Sequence, residues 1–160
     1  MSIAVGDTLP AGEFTVMGAD GPEKVTTEAL FSGKKVVVFS VPGAFTPTCH
    51  AKHLPGFVAQ AEALKAKGVD TIACLAVNDV FVMSAWGQAS NVGDSVLMLA
   101  DGNATWTKAL GLEFDGSGFG LGTRGQRFAM IVDNGVVTAL GVEQPGQFDV
   151  SSAESILGQL

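Results

Sequence analysis

The stretch Val41-Pro42-Gly43-Ala44-Phe45-Thr46-Pro47-Thr48-Cys49-His50 joins two segments of different character. Before it, Lys34-Lys35-Val36-Val37-Val38-Phe39-Ser40 is β-branched and apolar without alternation, the pattern of a buried strand. Within it, Pro42, Gly43 and Pro47 forbid regular structure. After it, Phe57, Ala61 and Leu64 recur at helical spacing until Gly68, a suitable C-cap. Cys49 therefore stands where a loop leaving a central strand enters a helix. The free backbone N–H groups and positive dipole end of a helix favour thiolate over thiol there.

An unpaired cysteine is commonly a small buried hydrophobe. The neighbours of Cys49 argue for chemistry instead. Thr46, three residues earlier, offers a hydroxyl to a ligand held against the sulfur. Pro42 and Pro47 stiffen the loop and carry no N–H of their own. The stretch is short of counter-charge, so a cation near the sulfur must come from elsewhere in the fold.

Working outward, Phe14-Thr15-Val16-Met17 is predicted as a short strand, Gly18 to Pro22 as a turn, and Thr26 to Phe31 as a short capped helix. Pro55 should kink or offset the first turns of the helix after Cys49. Val69 to Val77 is a second buried strand carrying Cys74. With the first strand it makes a β-α-β unit, so the two are expected to be parallel. Asp79 can cap a helix containing Val80, Phe81, Met83 and Trp86, and Ser95 to Ala100 is a third strand. A short helix from Ala104 to Leu110 ends at Gly111. Residues 113–125 are glycine-rich and read as a surface loop. Arg127 to Asp133 and Val136 to Val142 form a hairpin about an Asn134-Gly135 type I′ turn, and Ser152 can cap a last helix over residues 153–160. This order predicts an α/β fold, thioredoxin-like, with a central mixed β-sheet flanked by helices and one domain over residues 1–160.

Composition agrees. The chain has 160 residues, 47% apolar, enough for a sizeable core. No apolar run approaches the ~20 residues that cross a bilayer, and the start lacks the pattern of a secretory signal. A net charge of −7 argues against nucleic acid or anionic membrane as a partner. Two cysteines without a C-x-x-C pair make no disulfide scaffold and fit a reducing compartment. Gly120-x-Gly122-x-x-Gly125 matches a dinucleotide fingerprint, but a strand follows it where pyrophosphate needs a helix N-terminus. Cys49 and His53 would share a helix face, yet they are too few for zinc, so no metal is expected.

Pro42-x-x-x-Thr46-x-x-Cys49 resembles the active-site signature of the peroxiredoxins, a family of thiol peroxidases. The string Pro42 to Cys49, followed by His53-Leu54-Pro55-Gly56-Phe57, is similar to the type II or "five" subfamily. The similarity runs from Ala4-Val5-Gly6-Asp7 to Ser151-Ser152-Ala153. It implies the thioredoxin-like fold and the reduction of hydrogen peroxide and organic hydroperoxides through a sulfenic acid on Cys49. It requires neither metal nor organic cofactor. Thr46 Oγ1 and the Cys49 N–H are the local donors toward the leaving oxygen, with Pro42 the first residue of the motif. The resemblance assigns the cation to Arg127, with Arg124 the nearby competitor. Arg127 is preferred because it begins a strand and its side chain should alternate inward.

The subfamily further implies a homodimer packed around the active-site loop, with Phe45 and Trp86 as apolar contacts, and Phe45 also beside substrate. Cys74 occupies the place of a resolving cysteine in plant-like members. Its mid-strand position predicts a buried, slow thiol, leaving regeneration to glutaredoxin with glutathione, or to thioredoxin. The expected location is cytoplasmic, or an organelle stroma or matrix. A thiol-disulfide oxidoreductase would want the missing C-x-x-C. A non-enzymatic redox sensor or holdase would use the same cysteine but turn over once.

Overall fold

A computed structural model describes residues 2–160. Its centre is β3 (Lys35–Ser40), hydrogen-bonded in parallel to β4 (Thr71–Ala76) and antiparallel to β8 (Phe128–Asp133). Val36, Val38, Ala73, Leu75, Phe128 and Met130 belong to one core cluster, while Val37, Phe39, Ile72, Cys74, Ala129 and Ile131 belong to the other. Successive side chains leave a strand on opposite faces. The unbroken apolar runs thus supply two cores, one on each face of the sheet.

Seven strands make this sheet, in the order β2-β1-β5-β4-β3-β8-β9, with β1 (Glu13–Gly18), β2 (Gly21–Thr26), β5 (Leu97–Ala100) and β9 (Val136–Val142) completing it. β4 and β5 are parallel, and the outer pairs are antiparallel. Asn134 and Gly135 both have positive φ, as a type I′ turn needs. The predicted α/β, thioredoxin-like plan is the architecture found.

The caps expected from sequence are made. Thr26 accepts from the Ala29 N–H at the start of α1 (Thr27–Phe31). Asp79 accepts from Val82 N at 2.8 Å ahead of α4 (Val80–Ala89). Ser152 accepts from Ser155 N ahead of α6 (Ala153–Leu157), which is shorter than expected.

The helix after Cys49 is not one regular rod. Helical geometry begins at Pro47, a favoured residue for a first turn. Cys49–His53 then forms a π turn in which Leu54 N donates to Cys49 O, and α2 (Leu54–Ala59) and α3 (Ala61–Ala66) follow. Pro55 has no N–H with which to continue an ordinary ladder through this turn. Phe57, Ala61 and Leu64 are buried as their spacing requires, and Phe57 stacks on Phe39 with centroids 4.1 Å apart.

Two predictions need correction. The strand β2, Gly21-Pro22-Glu23-Lys24-Val25-Thr26, lay hidden in the lead-in. It is a mostly exposed edge strand, where proline and charge are tolerated and no apolar pattern arises. Residues 113–125 are not merely a loop. β6 (Glu113–Asp115) and β7 (Thr123–Gly125) pair antiparallel as a small second sheet, with a 3₁₀ turn Ser117–Phe119 between them. Three-residue strands are too short to show periodicity. Gly125 ends a strand, so the glycine fingerprint meets no helix.

Candidate active site

Cys49 is fully buried at the start of the π turn. No backbone partner for its N–H is found among the described residues. A π turn advances more than four residues per revolution, so Cys49 and His53 come to one side of it, and both are buried.

The cation comes from across the sheet. Arg127 precedes β8, and alternation puts it on the face of Ala129 and Ile131, in the same cluster as Cys49. Its Nη2 donates to Cys49 Sγ at 3.0 Å, and its Nη1 lies 2.8 Å from His53 Nδ1. The guanidinium also sits 6.0 Å from the centroid of Phe148. A guanidinium only donates, so Nδ1 must be the acceptor and the imidazole proton resides on Nε2. That Nε2 donates to the Ser151 carbonyl at 2.8 Å. Burial among Phe39, Phe57 and Phe148, reinforced by the Arg127 charge, lowers the His53 pKa to about 3. The imidazole is therefore neutral near pH 7, as this hydrogen-bond pattern demands.

Arg124, the competing cation, is engaged elsewhere. Its Nε donates to Leu121 O at 3.0 Å and its Nη1 to Pro42 O at 3.2 Å. A Cβ on Gly43 would come 2.7 Å from Arg124 Nη1, so only glycine leaves room for this clamp. Thr46 also differs from expectation. Its hydroxyl donates to Gly43 O at 2.7 Å, which leaves its oxygen lone pairs, and not its proton, for a bound molecule. The expected role as a donor is thereby reversed.

Phe45 has φ 63°, a strained value for a side-chain-bearing residue, and the residue is 49% exposed. Trp86 is instead fully buried, with Nε1 donating to His50 Nδ1 at 3.0 Å. It is a core residue, and the expected apolar contact with a partner is not available to its ring. A cavity of about 560 Å³ is lined by Pro42, Thr48, Arg127 and Glu143, by Phe114 of β6 and by Phe119 of the 3₁₀ turn. Phe45 is not among its walls.

Cys74 is buried in the same cluster as Cys49 and pairs in register with Phe39. Both thiols are free. Burial, and next the nearby Cys49 charge, push the Cys74 pKa well up despite Arg127. Among the described residues, no group of three or more His, Cys, Asp or Glu is placed to hold a metal ion, and no helix is long and apolar enough to cross a membrane.

A loop cysteine at the head of a helix, met by an arginine at the entry to the neighbouring strand of a thioredoxin-like sheet, is the arrangement of a redox-active thiol enzyme. Residues 4–157 match the redoxin family. The chain is 54% identical to rice peroxiredoxin-2C over 99% of its own length and 98% of that protein, and 49% identical to Arabidopsis thaliana peroxiredoxin-2B with the same coverage. The crystal structure of reduced Prx3 from Vibrio vulnificus in complex with hydrogen peroxide superposes with a TM-score of 0.95 at 57% identity, covering 98% of each chain. The chain belongs to the peroxiredoxins, of the plant-like type II group, and is a thiol peroxidase.

Proposed function

We propose that Cys49 is the peroxidatic residue and that Arg127, Thr46 and Pro42 complete its site. The observation that carries this reading is the 3.0 Å approach of Arg127 Nη2 to Cys49 Sγ. A cation at that distance favours the thiolate, which is the attacking form. Thr46, its proton committed to Gly43 O, accepts from the peroxide O–H and orients the oxygen to be attacked. Sγ forms a bond to that oxygen as the O–O bond breaks. The electron pair of the broken bond goes to the other oxygen, which is protonated and leaves as water or an alcohol. Sulfur is oxidised by two electrons to the sulfenic acid. The Cys49 N–H and the Arg127 guanidinium are donors fixed before charge develops, the arrangement that lowers such a barrier. Pro42 presents its carbonyl to Arg124 and holds the loop wall beside the sulfur.

The cavity walled by Phe114 and Phe119 supports organic hydroperoxides as substrates beside hydrogen peroxide. An external thiol then attacks the sulfenic sulfur and releases water. Glutaredoxin with glutathione is the first choice of donor and thioredoxin the second, because the deeply buried Cys74 is poorly placed to reach out. A homodimer through the active-site loop, with the half-exposed Phe45 at its face, and a reducing compartment such as cytoplasm or plastid stroma, complete the proposal.

Consumption of hydrogen peroxide with a thiol donor tests it. Many turnovers are expected for the native chain and none for Cys49→Ser. A single stoichiometric oxidation would mark a sensor and overturn the reading.

A further inference from the structure

Glu143 is buried, yet it joins no ion pair among the described residues, where the only one is Lys24 with Glu13. Its N–H donates to Arg127 O at 2.9 Å, which makes it the neighbour of Arg127 across the hairpin. Its carboxylate nevertheless bonds the following loop and not that guanidinium. Glu143 Oε2 accepts from Asp149 N at 2.7 Å, Ser151 N at 2.8 Å and Ser151 Oγ at 2.6 Å. Burial pushes this carboxyl up, but the bonds from the Ser151 hydroxyl and from the N–H groups of Asp149, Ser151 and Val150 outweigh it and hold it below its usual range. The loop lies flat on β9 because position 141 is glycine; a Cβ there would collide with the Val150 carbonyl.

So pinned, the loop presents the Ser151 carbonyl to His53 Nε2, and His53 Nδ1 receives Arg127. We propose that Glu143 and Ser151 are positioning residues of the peroxidase: by holding the Ser151 carbonyl they select the Nε2–H tautomer of His53, which keeps Arg127 on the Cys49 sulfur. This rests on Cys49 being the nucleophile and Arg127 its cation.

The physical reason lies in what each alternative would do. With the proton on Nδ1, two donors would face each other and the guanidinium would have to withdraw. With both nitrogens protonated, two cations would repel. A carboxylate in place of His53 would hold Arg127 but cancel the charge that the sulfur needs. A neutral imidazole orients the arginine and leaves its charge uncancelled. The negative charge nearest in the hairpin to this half-buried cation is set back on Glu143, which bonds Ser151.

The test compares Glu143→Ala, Glu143→Gln and Ser151→Ala, each alone and combined with Arg127→Gln, in the full chain. Two rates are read: Cys49 with hydrogen peroxide, and Cys49 alkylation by iodoacetamide at neutral pH. Glu143→Ala is expected to slow both about tenfold, within the range exchanged by side chains of one hydrogen-bonded network. Glu143→Gln should recover most of the loss. Once Arg127 is Gln, Glu143→Ala should slow neither rate further, because the relay has nothing left to position. An equal loss in the Arg127→Gln background, or unchanged rates in Glu143→Ala, would overturn the proposal. Should Glu143→Ala fail to fold, Ser151→Ala carries the same comparison with an expected loss of about threefold. If Arg127→Gln itself reacts as fast as the native chain, the assignment of the cation fails, and the relay with it.

Discussion

Arg127 meets His53 through an N–H···N hydrogen bond of 2.8 Å, and not through an ion pair. The partner is neutral, so the guanidinium reaches the Cys49 sulfur at 3.0 Å with its charge intact. A carboxylate is a common partner for arginine, and here it would have competed with the sulfur for the same cation.

This geometry separates the two arginines. Arg127→Gln is expected to slow the reaction with peroxide by ~10²–10³, the usual cost of one preorganised donor, and Thr46→Val should fall in the same range. Arg124→Gln should cost much less, since Arg124 holds the Pro42 and Leu121 carbonyls and not the sulfur. Stopped-flow rates for the three variants decide the matter, and a severe Arg124→Gln with a mild Arg127→Gln would reverse the assignment.

Acid should destabilise the fold through His53. The unfolded imidazole takes its proton near 6.5, while the folded one waits until about 3. Between those values the unfolded chain binds more protons, so stability rises with pH and is lost as pH falls, by up to about 1.4 kcal/mol per pH unit. Glu143 acts in the same direction below its ordinary range, because its folded pKa is lowered. Urea unfolding at pH 7, 6 and 5 should show the slope, and His53→Gln should flatten it. A native chain equally stable at pH 5 and 7 would refute the buried neutral histidine.

Cys74→Ser should retain most turnover with an external thiol donor. The Cys74 thiol is held well above its ordinary pKa by burial and by Cys49, and is correspondingly slow. Loss of turnover with every donor would instead make an internal Cys49–Cys74 disulfide obligatory.

Phe119, 83% exposed at the rim of the cavity, offers apolar surface to a substrate tail. Phe119→Ala should raise KM about tenfold for a bulky aromatic hydroperoxide, in line with ~1–3 kcal/mol from a lost apolar contact. It should leave hydrogen peroxide, which has no tail, nearly unchanged. Equal effects on both substrates would remove the cavity from substrate recognition.

Light scattering at micromolar concentration should give twice the chain mass of 16.4 kDa. Phe45→Ser should shift the population toward the monomer. A native monomer at that concentration would rule out the dimer.

Much of this molecule follows from short-range chemistry. The valine-rich runs of β3 and β4 demand two covered faces. Thr26, Asp79 and Ser152 accept from N–H groups three residues ahead, and Asn134-Gly135 can adopt positive φ without neighbours. These preferences act within a few residues, so they are written in the order of the chain, as is the placing of Cys49 between loop and helix. β2, β6 and β7 escaped because an exposed edge and two three-residue strands bury too little to impose a pattern.

What the tertiary structure alone decided is how partners distant in sequence face one another. That Arg127 reaches the sulfur depends on the register of β8 against β3, where a slip of one residue would turn it to the other face, while Arg124 is held away in β7 of the small sheet. His53 looked like an incomplete metal site. Its role needs the π turn, an arginine 74 positions away at the entry to β8 and a carbonyl 98 positions away. The direction of the Thr46 proton depends on the fold of its own loop, and the burial of Trp86 on the packing of α4 against the sheet. No local preference encodes these contacts, because each forms only when independently specified elements are brought to one place by the closing of both cores.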